Sequence, residues 1–435
     1  MFRTDYIKDA KLKIGNEIEI AGWVHKFIDM GKLKFLTARD RTGEIQVTAK
    51  KGIISDEQLF AKITANREYV VRIHGVIKEN KIAPEGVELI PSKYEVLNIV
   101  DEKLPVDPTD EIPADLDTRL EHRYLDLRRK KINAIFELKS IIVNTYRKKL
   151  LEMDFVEIHP PAIIATASEG GTDVYELKYF EHKAYLAQSP QLYKQIAVIG
   201  GLDRVFVTMP VFRAEKHNTA THLNEITMLD AEIGFADHHD AMDVFEIVFI
   251  ELLKVARSKP ELLQLCGANS SIPQKIISQK IKRITYTEAV DMLKKNGEQI
   301  EWGCDFSREQ EKKIYALIGE EAFFIYEYPT AIRAFYSMPK ESDPKICNAF
   351  DFIYKGLEIS SGAQRIHKVD VLEHALKSRG LDPQDFKFYV NAFKFGAPPH
   401  AGFGLGLERM LMKMCNLDNI RETSLFPRDR TRLCP

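Results

Sequence analysis

Apolar and polar residues alternate over the first hundred positions. "NEIEIAGWVHKFI" (16–28) follows the period of a half-buried strand. "KFLTARDRTGEIQVTA" (34–49) holds two strand-like halves around Thr42-Gly43, which predicts a hairpin. "EYVVRIHGVIKENKIAPEGVELIPSKYEVL" (68–97) adds two strands around a Pro/Gly loop. Some five short strands in so short a span fit a small Greek-key barrel such as an OB-fold, and other small barrels fit as well. The period then changes. In "KINAIFELKSIIVNTYRKKLLEM" (131–153) apolar residues fall at 132, 135, 136, 142, 146 and 150, the spacing of a helix. Beyond it short strands and helices intermingle, an α+β pattern rather than a regular βαβ repeat.

Between the two regimes, "DEKLPVDPTDEIPADLDT" (101–118) carries three prolines and seven acids, the composition of a linker. The expected organisation is an N-terminal barrel over 1–103, a linker or hinge over 104–130 and a larger α+β domain over 131–435. "RYLDLRRKK" (123–131) has five basic residues in nine and reads as a solvated helix face. Net charge is −2, so nucleic acid would have to be met by local patches. No apolar run has the length of a membrane span, and "MFRTDYIKDAKLK" has no apolar core of a secretion signal. The five cysteines are scattered without a C-x-x-C pair, which predicts free buried thiols in the cytoplasm and no zinc site.

Polar groups gather among apolar residues in four later stretches. They are "ATASEGGTDVY" (165–175), "LAQSPQLYKQ" (186–195), "VFRAEKHNTATHLNEITMLDAEIGF" (211–235) and "AFDFIYKGLEISSGAQRIH" (349–367). The third predicts a hairpin with a long polar loop and an arginine just past its first strand. In the fourth, Asp351 and Glu358 are seven apart. That is an odd separation, so a bulge near Gly356 is needed to give them a common face. In "GFGLGLERM" (402–410) three glycines precede a Glu-Arg pair. This is either a flat strand that leaves room for a ligand or a close-packed strand running into a helix.

These stretches resemble the signature motifs of the class II aminoacyl-tRNA synthetases, in particular the aspartyl enzymes of the archaeal and eukaryotic type. "VEIHPPAII" (motif 1, near 150–165, with Pro161), "FRAE…HLNEITMLDAE" (motif 2, near 211–235) and "GFGLGLERM" (motif 3, near 402–412) occur in the family's order, without the large insertion of bacterial members. "AGWVHKF…KFLTARDRTGEIQV" is similar to the family's anticodon-binding OB domain. The resemblance implies a multidomain α+β fold, an OB barrel followed by an antiparallel sheet flanked by helices. It also implies an ATP-dependent ligase that forms aspartyl-adenylate and then charges tRNA.

Carried over position by position, the resemblance implies catalytic roles for Arg213 and Arg409. ATP contacts fall on Glu215, His222, Ile226, Glu358 and Gly406, and a Mg²⁺ site on Asp351, Glu358 and Ser361. Contacts to L-aspartate fall on Glu169, Ser189, Gln191, Lys194, Asp230, Ser361 and Arg365. Ile226 departs from the pattern, since many members have an adenine-stacking Phe there. Phe35 and Gln46 match anticodon-reading positions. His25 and Pro84 match members that accept both tRNA(Asp) and tRNA(Asn), against the alternative of an enzyme specific for tRNA(Asp). The family further implies a homodimer and no membrane. Two other readings are an amino-acid-activating paralogue that does not use tRNA and a non-catalytic RNA-binding protein. The barrel stands against the first, and Arg213, Arg409, Asp351 and Glu358 together against the second.

Overall fold

The computed structural model describes residues 2–54, 56–166, 174–267 and 272–435. The chain divides into two compact units, Met1–Asn133 and Ala134–Pro435.

In the first unit, β1 (Glu17–Asp29), β2 (Leu33–Asp40), β3 (Gly43–Lys50), β4 (Val70–Glu79) and β5 (Val87–Asn98) close into a barrel in the order β1-β2-β3-β5-β4. The inward set of the alternation makes its core, including Ile18, Ile20, Val24, Leu36, Ile45, Val71, Ile73 and Leu89. Gly22 and Gly75 are required at crowded crossings, because a Cβ would lie 2.2 Å from Arg39 O and 2.1 Å from Ile90 O.

Residues 104–130, expected as a linker, belong to this unit. Arg67 pairs with Asp107 at 2.6 Å, and Arg129 Nε donates to Asp107 O at 2.9 Å. The run 123–131 is not a solvated face. Arg123 and Asp126 are fully buried and paired, and Arg128 donates to the buried Glu68 at 2.7 Å while covering the Trp23 ring. Acids supplied by the barrel and the connecting segment neutralise the arginines, so the basic run is structural.

The second unit opens on α1 (Lys130–Glu152), which buries Ile132, Ile135, Ile142, Tyr146 and Leu150 as the period predicts. Its main sheet has nine strands. Eight lie in the order β9 (Lys282–Thr285), β10 (Ala322–Pro329), β11 (Asp343–Tyr354), β12 (Leu357–Arg365), β13 (His400–Gly406), β8 (Glu225–Gly234), β7 (Arg204–Phe212) and β6 (Val156–Glu157). The ninth, Pro339–Lys340, pairs with β11 off this path. The six central strands are mutually antiparallel. The pairs at both edges are parallel, so the sheet is mixed rather than antiparallel throughout.

Helix α3 (His238–Arg257) lays Phe245 and Phe249 against Phe352, and Phe245 also meets Phe403. That seals one face of the sheet and leaves the other to carry the polar groups. Three further helices bear on the site: α2 (Gln191–Ala197), α4 (Arg308–Ile318) and α5 (Lys387–Phe393). A fourth, α6 (Leu407–Met414), starts directly at the end of β13. Among the described residues, no helix is long and apolar enough to cross a membrane. Cys266, Cys347 and Cys415 are buried free thiols, whereas Cys304 and Cys434 are exposed, contrary to the expectation for all five.

Candidate active site

The open face of the sheet carries two clefts. The first is lined by Arg213, Glu215, His222, Ile226, Glu358, Gly406 and Arg409, among others. The second is lined by Ser189, Gln191, Asp230, Arg333 and Arg365, among others. Arg213, Met228, Ser361 and Gly404 line both, so the clefts share a wall.

Each part of the first cleft follows from local structure. Strands β7 and β8 form the expected hairpin, and Arg213 stands one residue beyond β7, its N–H donating to Asn224 O at 2.9 Å. Arg409 sits on the first turn of α6. Its guanidinium donates to Glu358 O at 3.1 Å, to Thr221 O at 3.4 Å and to His222 Nε2 at 3.0 Å. Nε2 must therefore be bare, so Nδ1 carries the proton and donates to Thr219 Oγ1 at 2.7 Å. Burial, with the charges of Arg409, Arg308 and Arg213, pulls the His222 pKa down to about 4, so the ring stays neutral at physiological pH. The neighbouring Glu408 is a brace. Its carboxylate binds Lys139 at 2.7 Å and the Thr227 N–H at 2.9 Å.

The glycines of β13 have two explanations. A Cβ on Gly402 would lie 2.2 Å from Glu232 Oε2, and one on Gly404 2.7 Å from Met228 Cε. These two are close-packing glycines. At Gly406 the nearest atoms would be 3.7 Å and 3.9 Å away, ordinary contacts, so the protein itself leaves that space open beside Arg409.

Asp351 and Glu358 do share a face, but through a hairpin rather than the expected bulge: Ile353, two residues along β11 from Asp351, is the cross-strand partner of Glu358. Asp351 pairs with Ser361 and Ile353 with Glu358, with the slip between Phe352 and Ile353. The two acids lie on separate strands of a tight hairpin, not on one strand, and its turn holds Gly356 at φ 70°. Burial and the Asp351 charge push the Glu358 carboxyl upward. On α4, Glu311 is pushed up to about 8 by burial and by the Glu358 and Asp351 charges.

Glu358 and Ser361 line the cleft and suit a hard cation, and the mutual repulsion of these acids is what a divalent cation would relieve. Asp351, expected beside them as a metal ligand, is engaged by an arginine. Arg333 holds both of its oxygens, with Nη1 to Oδ2 at 3.0 Å. Among the described residues, no group of three or more His, Cys, Asp or Glu is disposed to hold a metal.

In the second cleft, α2 places Gln191, Lys194 and Gln195 on one side at i, i+3 and i+4. The expected substrate ligand Lys194 is not free. It is buried, with Nζ at 2.9 Å from Asp230 Oδ2, 3.3 Å from Glu232 Oε2 and 3.1 Å from Phe403 O. Arg365 donates Nε and Nη2 to Glu232 at 2.8 and 3.2 Å and lines the cleft. The second oxygen of Asp230, Oδ1, is buried without a hydrogen-bond partner among the described residues. Glu169 lies outside the described residues.

Sequence reasoning missed Glu232, Arg333 and Glu311. Glu232 had a signal, since it stands two residues after Asp230 on the same strand and therefore faces the same side. Arg333, in "TAIRAFY", had none.

In the barrel, Phe35 and Gln46 share one outer face two rungs apart, opposite Thr48 and Thr37 respectively. Gln46 Nε2 donates to Thr48 Oγ1 at 3.1 Å and to Glu88 at 3.3 Å. His25 falls at the register slip of β1, with Nδ1 3.3 Å from Glu44. Pro84 opens the short 3₁₀ turn Pro84–Gly86 between β4 and β5.

Residues 115–430 match the family described as tRNA synthetases class II (D, K and N), and residues 18–97 match an OB-fold nucleic acid binding domain. The chain is 46% identical to an aspartate–tRNA(Asp/Asn) ligase of Methanocaldococcus jannaschii, covering 100% of this chain and 98% of that one. It is 45% identical to an aspartate–tRNA(Asp) ligase of Pyrococcus furiosus, covering all of both. In structure it is similar to asparaginyl-tRNA synthetase from Pyrococcus horikoshii complexed with asparaginyl-adenylate, with a TM-score of 0.94 at 33% identity over the whole of both chains.

Proposed function

The chain belongs to the class II tRNA synthetases of the D, K and N group, and on that premise we propose that it joins L-aspartate to tRNA(Asp) and also to tRNA(Asn). It is an ATP-dependent aminoacyl-tRNA synthetase carrying an OB-fold nucleic-acid-binding domain. The carrying observation is the shared wall. Two clefts meet at Arg213 and Ser361, one equipped for a nucleotide and one for a small charged molecule.

ATP lies in the first cleft, with adenine between Arg409 and the aliphatic Ile226 and its α-phosphate at Arg213. Glu215 and His222 border it, and the open side of Gly406 admits it. Aspartate lies in the second, its side-chain carboxylate on the Arg365 guanidinium, which turns Nε and Nη2 to Glu232, with Lys194 behind. Asp230 Oδ1 and Gln191 face the ammonium, with Ser189 beside them and Glu169 added from outside the described residues. A substrate carboxylate oxygen then attacks the α-phosphorus, the bond to pyrophosphate breaks, and the adenylate forms. The terminal ribose hydroxyl of tRNA attacks the acyl carbon and releases AMP.

Arg213 at the shared wall binds both reacting groups, so its charge is in place before the transition state forms. Mg²⁺ fits Glu358 and Ser361, and when bound it offsets the phosphate charge. Neutral His222 steers Arg409 without competing for phosphate.

The dual tRNA use rests on His25 and Pro84. Proline at 84 offers no N–H donor to a third anticodon base. Relatives of both kinds stand at 46% and 45% identity, so overall similarity does not decide between them. Phe35 and Gln46 offer a stacking platform and an amide to the shared central base. We place the enzyme in the cytoplasm as a homodimer. Exposed Leu151, Val156 and Ile163 in and beside motif 1 supply apolar surface for that contact.

The test is aspartylation of two tRNA transcripts that differ only at the third anticodon base. Both should be charged at similar kcat/KM. A preference of about a hundredfold, roughly 2.7 kcal/mol, would make the enzyme specific for tRNA(Asp). Charging of neither would end the synthetase reading.

A further inference from the structure

Behind Gln191 runs a chain of buried polar groups that the reaction itself does not use. Gln191 Nε2 donates to Gln195 Oε1 at 2.9 Å, one turn along α2. Tyr389, on α5, donates its hydroxyl to the same oxygen at 3.0 Å. Gln195 Nε2 lies 2.9 Å from His400 Nε2, and His400 Nδ1 lies 2.8 Å from Pro398 O. Gln195, Tyr389 and His400 are fully buried, while Gln191 is 4% exposed and lines the second cleft.

The direction of every bond follows from the last one. A backbone carbonyl only accepts, so His400 Nδ1 carries the proton. Burial lowers the His400 pKa, the ring is neutral, and Nε2 is a bare acceptor. Only the NH₂ end of Gln195 can face it. The oxygen of Gln195 then faces Gln191 and Tyr389, and Gln191 must turn its own NH₂ inward. An amide without such constraints can present either end.

We propose that His400, Gln195 and Tyr389 are positioning residues that lock Gln191 with its carbonyl oxygen toward the cleft, as an acceptor for the α-ammonium group of the amino acid. This rests on the second cleft being the amino-acid site. Reversing Gln191 would set an NH₂ donor against that ammonium, and a lost hydrogen bond to a charged group is expensive. Arg365 stands opposite His400 on the neighbouring strand, but its guanidinium hydrogen-bonds to Glu232 and not to this chain, so binding of the substrate's side-chain carboxylate serves as the internal control.

The test compares aspartate with succinate, which is aspartate without its amino group, in ATP–pyrophosphate exchange and its inhibition. His400→Leu removes the bare acceptor. His400→Gln can place an amide oxygen where Nε2 stood. In His400→Leu, KM for aspartate should rise about tenfold or more, with KM for ATP and the inhibition constant of succinate within about twofold. His400→Gln should restore most of the aspartate affinity. Equal weakening of aspartate and succinate would show a general disturbance of the pocket and overturn the proposal, as would no change in either. If the unaltered protein binds neither compound, the amino-acid reading of the cleft falls first. Should the variants fail to fold, ¹⁵N NMR of histidine-labelled native protein decides. A bare Nε2 on His400 is required, and a protonated one overturns the relay.

Discussion

In the proposed amino-acid pocket Lys194 and Arg365 already have buried carboxylates. Lys194 sits on Asp230 and Glu232, and Arg365 is forked onto Glu232. In the ATP cleft Arg409 is held chiefly by a neutral histidine and two carbonyls, while the acids nearby crowd one another. One region is charge-compensated as it stands, whereas in the other the buried acids remain crowded. Removing a charge should therefore do different damage in the two places. In the pocket it leaves a buried partner unpaired and harms the fold. In the cleft it spares the fold and harms the reaction.

The largest effect is expected at Glu232. Glu232→Gln strands Arg365 and half of Lys194, and breaking a buried pair in this way costs about 3–5 kcal/mol of stability. Urea unfolding measures it, and a loss below about 1 kcal/mol would mean that the pocket is not compensated as described.

Arg213→Ala and Arg409→Ala come next. Each should lower kcat of aspartate-dependent exchange by about 3–4 kcal/mol, the cost of losing one preorganised charge. Their unfolding midpoints should stay near the native value. Near-normal exchange in both would remove the first cleft from the chemistry.

The barrel gives a smaller and separable effect. Phe35→Ala should weaken tRNA charging by about 1–3 kcal/mol and leave exchange unchanged, since stacking on one base is all it removes.

A further effect depends on pH and works against stability. Glu311 has a folded pKa of about 8, above the ordinary 4.5. Between those values the folded state holds a proton that the unfolded state has released, so stability falls as pH rises and levels off above the folded value. Glu311→Gln should flatten that slope in melting curves taken in a chelator from pH about 5 to about 9. An unchanged slope would mean that Glu311 does not feel Glu358 and Asp351.

How much of this was legible in the sequence depended on whether the deciding contact was local. The barrel, the long helix and the motif 2 hairpin each follow from periodicity over a dozen residues, and they appear where the spacing puts them. The shared face of Asp351 and Glu358 was expected from a bulge within one strand, but it comes from a hairpin that turns at Gly356 and sets Glu358 opposite Ile353. The state of Lys194 was not legible. Whether a lysine faces substrate or a buried acid depends on Asp230 and Glu232, which reach the helix from β8. The same holds for Asp351, whose claimant Arg333 comes from a segment with no pattern of its own. The basic run 123–131 misled in part for this reason too, because the acids that meet Arg128 and Arg129, Glu68 and Asp110, lie outside it. Fold similarity adds little to the choice of amino acid, since a TM-score of 0.94 links the chain to an asparaginyl enzyme.

The most direct measurement is ATP–pyrophosphate exchange with aspartate and with asparagine, at equal concentrations and with Mg²⁺ present. In the proposed function Arg365, the cation of this network that lines the cleft, meets the substrate's side-chain carboxylate, and a neutral amide cannot replace that charge-assisted pair. Exchange should proceed with aspartate and fall by about a hundredfold or more with asparagine. Comparable exchange with the two amino acids, or exchange with asparagine alone, would contradict the account.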